Sequence, residues 1–139
     1  MGLVYADIEI IHAGDLEMAR RSIIGEEEIR KMNISALVDS GSYMFCINES
    51  IQEQMQFPVM EQRTAQTADG RILNFDVVSQ VEIRFKNRRT ICNAMVLPGS
   101  FEPFLGAIPL EDMDVLIHPQ RQELIVNPEH PYFAQMKLK

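Results

Sequence analysis

Residues 34–41 read Ile-Ser-Ala-Leu-Val-Asp-Ser-Gly, an apolar run that ends in an acid, a hydroxyl and a glycine. The run favours a short buried strand, and Asp39 leaves its end. A carboxylate beside a buried strand costs free energy unless it has a partner or a chemical role. Ser40 can donate and accept a hydrogen bond beside this acid, and Gly41 permits close approach of another chain or a substrate. Because Asp, Ser and Gly all favour turns, a simple strand-ending turn is the alternative interpretation.

The sequence around this run is typical of a mostly β chain. Asp69-Gly70 predicts a tight hairpin with a two-residue type I′ turn, because that turn needs positive φ at both central positions. Residues 48–55 predict a short helix, with Ser50 and Glu53 as a capping box. Apolar or alternating stretches predict further strands at 3–11, 43–47, 59–68, 72–85, 90–97, 115–118 and 123–126, the last two joined as a hairpin.

Residues 16–32 form an insertion between the first strand and the run at 34–38. They are charged and rich in helix formers, and Gly25 interrupts them. We expect one or two short helical turns or a long ordered loop. Residues 26–28 are three consecutive glutamates, which we expect to form a solvated face, with a recruitment surface as the alternative.

Length and charge limit the classes of function. The chain has 139 residues, which favours a single domain over 1–139. Twenty acidic against 13 basic residues give a net charge of −7, which repels phosphate backbones and anionic lipid. We therefore expect neither nucleic acid nor a membrane as a partner. The first residues have no signal-peptide pattern, so we expect a cytoplasmic protein.

The residues that commonly bind metals are scattered. Cys46 and Cys92 lie far apart on predicted strands without a ligand spacing, which favours free thiols that act as small buried hydrophobes. His12, His118 and His130 form no pair at helical spacing. We expect no metal and no cofactor.

Four segments carry a resemblance to a known family. Residues 36–41, Ala-Leu-Val-Asp-Ser-Gly, resemble the active-site motif of the retropepsin-like aspartic proteases. Residues 67–70, Thr-Ala-Asp-Gly, resemble the flap hairpin that covers the substrate, and 104–106, Phe-Leu-Gly, resemble the element that passes beside the catalytic turn. Residues 107–119 resemble the short helix and closing strand that follow. Together the four cover about residues 33–128 in the family's order.

The resemblance implies a fold and a set of site residues. The fold is all-β: a single-lobe, retropepsin-like closed barrel with one short helix near the C-terminal end, followed by a tail at 129–139. The implied catalytic residues are Asp39, Ser40 and Gly41, with Ser40 bracing the pair of acids at its base by hydrogen bonds and Gly41 supplying a backbone contact to substrate. The flap and floor that bind substrate are implied at Ala68, Asp69, Gly70 and Gly106.

Three features depart from the family's pattern. The insertion at 16–32 is longer than the hairpin that usually joins the first strand to the catalytic one. Ser42 stands where the family commonly has alanine. The flap has one glycine, Gly70, where retroviral flaps have several, which predicts a stiffer or more open flap.

The resemblance also implies a mechanism and a partner. The family hydrolyses peptide bonds with two carboxylates that share one proton around a water. This chain has a single Asp-Ser-Gly, so a catalytic form must be a homodimer in which the two copies of Asp39 meet. One Asp39 activates the water, and the other protonates the carbonyl oxygen and then the leaving amine of a peptide or protein substrate. We expect residues 132–139, or the first strand, to supply the edge of the dimer's sheet.

Two alternatives remain open beside an aspartic endopeptidase. The same fold can serve as a catalytically silent dimeric module that binds peptides or acts as a scaffold, because a fold does not fix a function. The chain can also be a monomer whose insertion at 16–32 blocks dimerisation. Loss of cleavage in Asp39→Asn with an unchanged dimer mass distinguishes a protease from the silent module. A single-subunit mass in solution identifies the monomer.

Overall fold

The computed structural model describes residues 2–138. These residues are mostly β, with nine strands, three α-helices and a short 3₁₀ helix at Glu26–Glu28. The helices are α1 (Ala13–Arg20), α2 (Glu49–Met55) and α3 (Ala107–Met113). The strands are β1 (Tyr5–His12), β2 (Lys31–Val38), β3 (Phe45–Asn48), β4 (Val59–Gln66), β5 (Ile72–Phe85), β6 (Arg88–Leu97), β7 (Phe104–Leu105), β8 (Val115–His118) and β9 (Glu123–Val126).

Seven of the strands form one curled sheet in the order β1-β2-β7-β3-β6-β5-β4. β1 also pairs with β5, residues 9–12 opposite 81–84, so the sheet closes into a ring with β4 outside it. β5 bends from the β4–β5 hairpin into this ring at an irregularity between Val78 and Val81, where Gln80 has a φ of 63°. β8 and β9 form a separate antiparallel hairpin.

An apolar core fills the ring. Its fully buried side chains include Phe45, Ile83 and Leu105, and burial of each such side chain contributes about 1.5–3 kcal/mol. Val38 and Leu105 are both buried and lie opposite each other where β2 and β7 pair in parallel. The core therefore anchors the strand end from which Asp39 emerges.

The alternating strands are predicted well, and two turn details are wrong. β5, β8 and β9 have the predicted bounds, and the β8–β9 hairpin is confirmed. The helix at 48–55 is confirmed as α2, but its cap is Asn48, whose side-chain oxygen accepts from the Ile51 N–H at 2.8 Å, and not a Ser50–Glu53 box. At the Asp69-Gly70 turn only Gly70 has a positive φ, of 89°, so the type I′ prediction is wrong.

The fold class implied by the resemblance has one helix near the C-terminal end, and this helix is α3. Residues 2–138 also contain α2, where the local pattern predicts a helix, and α1, which overlaps the insertion where helical turns are expected. The fold is therefore mostly β and not all-β. None of the helices in this range is long and apolar enough to span a membrane.

The insertion is an ordered structure held by one ion pair. α1 starts at Ala13, earlier than the predicted insertion, because His12 caps it by accepting from the Asp15 N–H at 3.1 Å. The buried Asp15 carboxylate accepts from Arg30 Nε at 2.7 Å, from Nη2 at 2.8 Å and from the Arg30 backbone N–H at 3.0 Å. These bonds join the start of α1 to the residue before β2. The Arg30 side chain holds the pKa of Asp15 down to about 2.

Asp15→Asn is expected to destabilise the fold in a pH-dependent way. The folded pKa of Asp15 lies below its ordinary value of 3.8, so the stabilisation is present above about pH 4 and is lost as the pH falls through about 2. The Arg30 side chain is 40% exposed, so water screens its interaction with Asp15. We therefore expect Asp15→Asn to lower the free energy of unfolding by about 1–2 kcal/mol at pH 7. Urea unfolding of both proteins between pH 7 and pH 2 measures this difference.

The matched control is Glu17→Gln, which removes an exposed partner of Arg20 and Arg21. It is expected to change the unfolding free energy by less than about 0.5 kcal/mol. A difference between wild type and Asp15→Asn that stays constant down to pH 2 contradicts the assignment.

The C-terminal tail is hydrogen-bonded to its own subunit and forms no strand over residues 127–138, and residues 131–138 are exposed. Asp114, which ends α3, accepts from Asn127 Nδ2 at 3.0 Å and from the Gln135 N–H at 3.0 Å, and it contacts His130 Nδ1 at 2.6 Å. β1 is flanked by β2 and, over 9–12, by β5. The expectation that residues 132–139 or β1 supply the edge of a dimer's sheet concerns a second copy and stays a prediction. Within residues 2–138 only β2 pairs with residues 5–8 of β1, and the apolar side chains of the tail are exposed. Lys139 lies outside the described residues.

Candidate active site

Asp39 follows the last residue of β2 and begins a tight turn over residues 39–42. Its N–H donates to Leu105 O at 2.9 Å, and its carbonyl oxygen accepts from the Ser42 N–H at 3.0 Å. Both backbone groups of Asp39 are thus bonded, one to β7 and one within the turn. We refer to residues 39–42 as the Asp39 turn.

The Asp39 carboxylate is bonded at both oxygens by its own turn. The Gly41 N–H donates to Oδ1 at 3.1 Å, and Ser42 Oγ donates to Oδ2 at 2.8 Å. Asp39 is half-buried, whereas Ser40 and Gly41 are exposed. The carboxylate is therefore held in one orientation at the surface, which suits a group that must meet a water or a partner carboxylate.

Gly106 lies against the segment that leaves the Asp39 turn. A Cβ on Gly106 would lie 2.5 Å from Met44 O, 2.6 Å from the carbonyl carbon of Tyr43 and 2.8 Å from Ser42 O. The residues after it bind the same segment: the Ala107 N–H donates to Ser42 O at 2.8 Å and the Ile108 N–H to Tyr43 O at 3.0 Å. The predicted proximity of Gly106 to the turn is therefore present, and glycine is required there by close backbone packing.

Gly41 is different, because its own subunit does not require a glycine there. Its φ is not in the left-handed region, and a Cβ would approach only Asp39 Oδ1, at 3.4 Å. The turn itself accommodates a larger residue.

The predicted flap residues Ala68, Asp69 and Gly70 form the tip of the β4–β5 hairpin. The Gly70 N–H donates to Thr67 O at 2.9 Å. The Thr67 hydroxyl and the Arg71 N–H both donate to Asp69 Oδ1, and the Thr67 hydroxyl lowers the pKa of that carboxyl most. The hydrogen bonds described for this tip stay within residues 66–71, so Asp69 serves to build the turn and makes no described bond to the Asp39 turn.

A cleft of about 360 Å³ lies between β4 and the segment after the Asp39 turn. Arg63 reaches across it from β4, with Nη1 4.0 Å from Met44 Sδ. Tyr43 is 69% exposed and Ile108 is 40% exposed on the same cleft. The hairpin arm and the segment that follows the Asp39 turn thus border one cleft, whose lining is both polar and apolar.

Two further apolar grooves flank the Asp39 turn on the side of the β8–β9 hairpin. One, of about 360 Å³, is bordered by Asp39, Leu3 and Leu37, and the other, of about 370 Å³, by Ser40, Leu110 and Leu116. Val38 and Ile117 line both. Leu3 is 71% exposed and Ile117 is 36% exposed, so the surface beside the acid is apolar and uncovered within residues 2–138.

One contact of the acid was not predicted from the sequence. Within the subunit, the hydroxyl that reaches Asp39 belongs to Ser42. The signal was present, because a four-residue turn brings its first and fourth residues together. The bracing of the paired acids by Ser40, which the resemblance implies, involves a second copy and stays a prediction. The cysteines are placed as expected: burial raises the pKa of Cys46 and of Cys92 to about 12, so both thiols are unreactive. Among residues 2–138, no group of three or more His, Cys, Asp or Glu is arranged to hold a metal ion.

Comparison with known proteins bears on this arrangement. The sequence model of a family described as aspartyl protease matches residues 25–125. The matched range includes the Asp39 turn, the β4–β5 hairpin, β7 and α3. No curated protein sequence matches the chain.

Proposed function

Since this chain belongs to an aspartyl protease family of the retropepsin-like clan, we propose that it is an aspartic endopeptidase whose Asp39 acts in a homodimer. The observation that carries the proposal is the position of Asp39: half-buried at the end of a core strand, with both carboxylate oxygens bonded by its own turn. The ring-shaped sheet corresponds in this proposal to the closed barrel of one lobe, and the β1–β5 pairing supports it.

The need for a second copy follows from the chemistry. Hydrolysis of a peptide bond by this class needs a base and an acid on opposite sides of one water. A single Asp-Ser-Gly in the sequence supplies one carboxylate per chain. In the proposed dimer two copies of Asp39 meet on a two-fold axis and share one proton, because like charges at this distance do not both ionise.

The reaction then divides between the two carboxylates. The ionised Asp39 takes a proton from the bound water, which attacks the scissile carbonyl carbon. The protonated Asp39 donates to the carbonyl oxygen, and collapse of the tetrahedral intermediate returns a proton to the leaving amine. Ser40 and Gly41, both exposed, face the partner subunit and the substrate in this arrangement.

The surface that joins the two copies is proposed to be the apolar one beside the Asp39 turn. Leu3, Leu116 and Ile117 are uncovered there, and the two grooves that they line flank the acid. The proposed chemistry brings the Asp39 of a second subunit to this acid. The same second subunit would cover the apolar surface beside it and remove that surface from water. The insertion and the tail are bonded to their own subunit and leave this surface free.

Substrate is proposed to bind in an extended conformation between the β4–β5 hairpin and the floor around Gly106. β4 is the end strand of the sheet, so its outer edge can pair with a peptide. The flap residues Ala68, Asp69 and Gly70 close over the peptide and exclude water. The cleft with Tyr43 and Ile108 offers apolar contacts to a bound peptide, beside the polar side chains of Arg63 and Asn93.

Ile117→Glu is expected to convert the dimer to a monomer and to lower cleavage at least roughly a hundredfold. The substitution places a charge on a surface that the partner covers, and burying an unpaired charge is costly. Analytical ultracentrifugation and cleavage of one peptide substrate measure the two effects. Ile23→Glu is the control, because Ile23 lies on the insertion and is 63% exposed. This substitution is expected to leave the dimer mass and the cleavage rate unchanged. A dimeric, fully active Ile117→Glu protein rejects this interface, and a wild type that is monomeric at micromolar concentration rejects the dimer itself.

The direct test of the function is digestion of a diverse peptide library by wild type between about pH 4 and pH 7, with the products identified by mass. Defined cuts with a shared sequence preference support a protease and give its specificity. If a dimeric wild type makes no cuts, the silent peptide-binding or scaffold module takes its place. We also propose a cytoplasmic location, which the two free thiols, Cys46 and Cys92, support.

A further inference from the structure

The hydroxyl that holds the Asp39 carboxylate comes from an unexpected residue. Ser42 Oγ donates to Asp39 Oδ2 at 2.8 Å, whereas the exposed Ser40 hydroxyl has no partner among residues 2–138. The Ser42 hydroxyl therefore adds a hydrogen bond to the one acid on which the proposed chemistry depends.

Ser42 is itself fixed by its backbone on two sides. Its N–H donates to Asp39 O at 3.0 Å, and its carbonyl oxygen accepts from the Ala107 N–H at 2.8 Å. Ser42 is half-buried, and its carbonyl oxygen lies close to Gly106. Because the backbone of Ser42 cannot shift without breaking these bonds, its hydroxyl has a defined place from which to orient the acid.

We propose that Ser42 is a positioning residue for Asp39, an inference that rests on the proposed aspartic protease function. The Gly41 N–H bonds Oδ1 and the Ser42 hydroxyl bonds Oδ2, so together they fix the rotation of the carboxylate about its Cβ–Cγ bond. Without the hydroxyl, Oδ2 loses its only described partner and the carboxylate rotates more freely. Misorientation of a catalytic group lowers the rate of the chemical step without weakening substrate binding.

Ser42→Ala is expected to lower kcat roughly ten- to a hundredfold with little change in KM. Ser42→Thr keeps a hydroxyl at the same place and is expected to restore most of kcat. Ser50→Ala is the matched control, since Ser50 is an exposed serine on α2 and its loss is expected to leave kcat unchanged. Dimer mass is measured for every variant, so a folding or assembly defect is recognised.

A readout independent of cleavage tests the same contact. In protein labelled with carbon-13 at the aspartate carboxyls, the Asp39 signal is the one absent from Asp39→Asn. At a fixed pH this signal is expected to move in Ser42→Ala and to stay near its wild-type position in Ser42→Thr. If wild type cleaves no peptide, the protease function is overturned, while a signal that moves still supports the positioning of Asp39. An unmoved signal, an unchanged kcat, or a raised KM at constant kcat in Ser42→Ala overturns the inference.

Discussion

Asp39→Asn is expected to reduce kcat/KM by a factor on the order of 10⁴ or more, because general acid and general base each contribute about 10² to 10⁴. In a homodimer one substitution removes both carboxylates, so neither the activated water nor the proton donor remains. Asparagine has nearly the same shape as aspartate, and its side-chain oxygen can still accept from Ser42 Oγ. The fold and the dimer mass are therefore expected to be unchanged.

The experiment compares the two proteins on the best peptide from the library, with product formation followed by mass and dimer mass by light scattering. Asp7→Asn is the matched control, because Asp7 is exposed on β1, away from the turn, and is expected to leave the rate unchanged. Equal cleavage by wild type and Asp39→Asn shows that the activity does not come from Asp39, and the proposal is then wrong.

This result also separates the two functions that the fold permits. A scaffold has no need to bring two repelling acids together on an axis, and replacing Asp39 by a neutral residue then preserves or improves assembly. A protease retains the acids because the repulsion is what makes one an acid and the other a base. A more stable Asp39→Asn dimer with no change in peptide binding and no cleavage by either protein points to the scaffold.

How far the sequence predicts the structure depends on the range of the interactions. The strands β5, β8 and β9 follow from alternation along a few residues, and Asp39 at a strand end is visible in a single octapeptide. The insertion and the tail, whose structure the local sequence pattern leaves open, are held by partners distant in sequence. Asp15 and Arg30 are 15 positions apart, and the tail is bonded to Asp114 from as far as Gln135. No local pattern shows that these groups will meet.

The candidate site shows the same division. The acid and Gly106 are recognisable from short motifs in order along the chain, and both are found where the motifs imply. The choice of Ser42 over Ser40 as the partner of Asp39 depends on the direction in which each hydroxyl leaves the turn, and this is set by the bonds of the turn to β7 and α3. Both residues are serines, so residue type alone does not predict which hydroxyl points toward Asp39.

Gly106→Ala is expected to destabilise the subunit by about 3–5 kcal/mol and to abolish cleavage. The three atoms nearest to the new methyl group, all within 2.8 Å, belong to the backbone of residues 42–44 and cannot rotate away. Relief of the clash requires β7 and α3 to move off this segment. Forced overpacking costs about 1–3 kcal/mol, and each hydrogen bond that the movement breaks, such as Ala107 N–H to Ser42 O, costs about 1 kcal/mol.

Gly41→Ala is the matched comparison, because it adds the same methyl group to the same site with its nearest neighbour at 3.4 Å. It is expected to change the unfolding free energy by less than about 0.5 kcal/mol. Urea unfolding of the two variants beside wild type, with the slope checked for two-state behaviour, measures the contrast. Equal stability of the two variants contradicts the close packing at Gly106. A stable Gly41→Ala protein that has lost cleavage shows that Gly41 is needed for something outside its own subunit, as the proposed contact with substrate and partner requires.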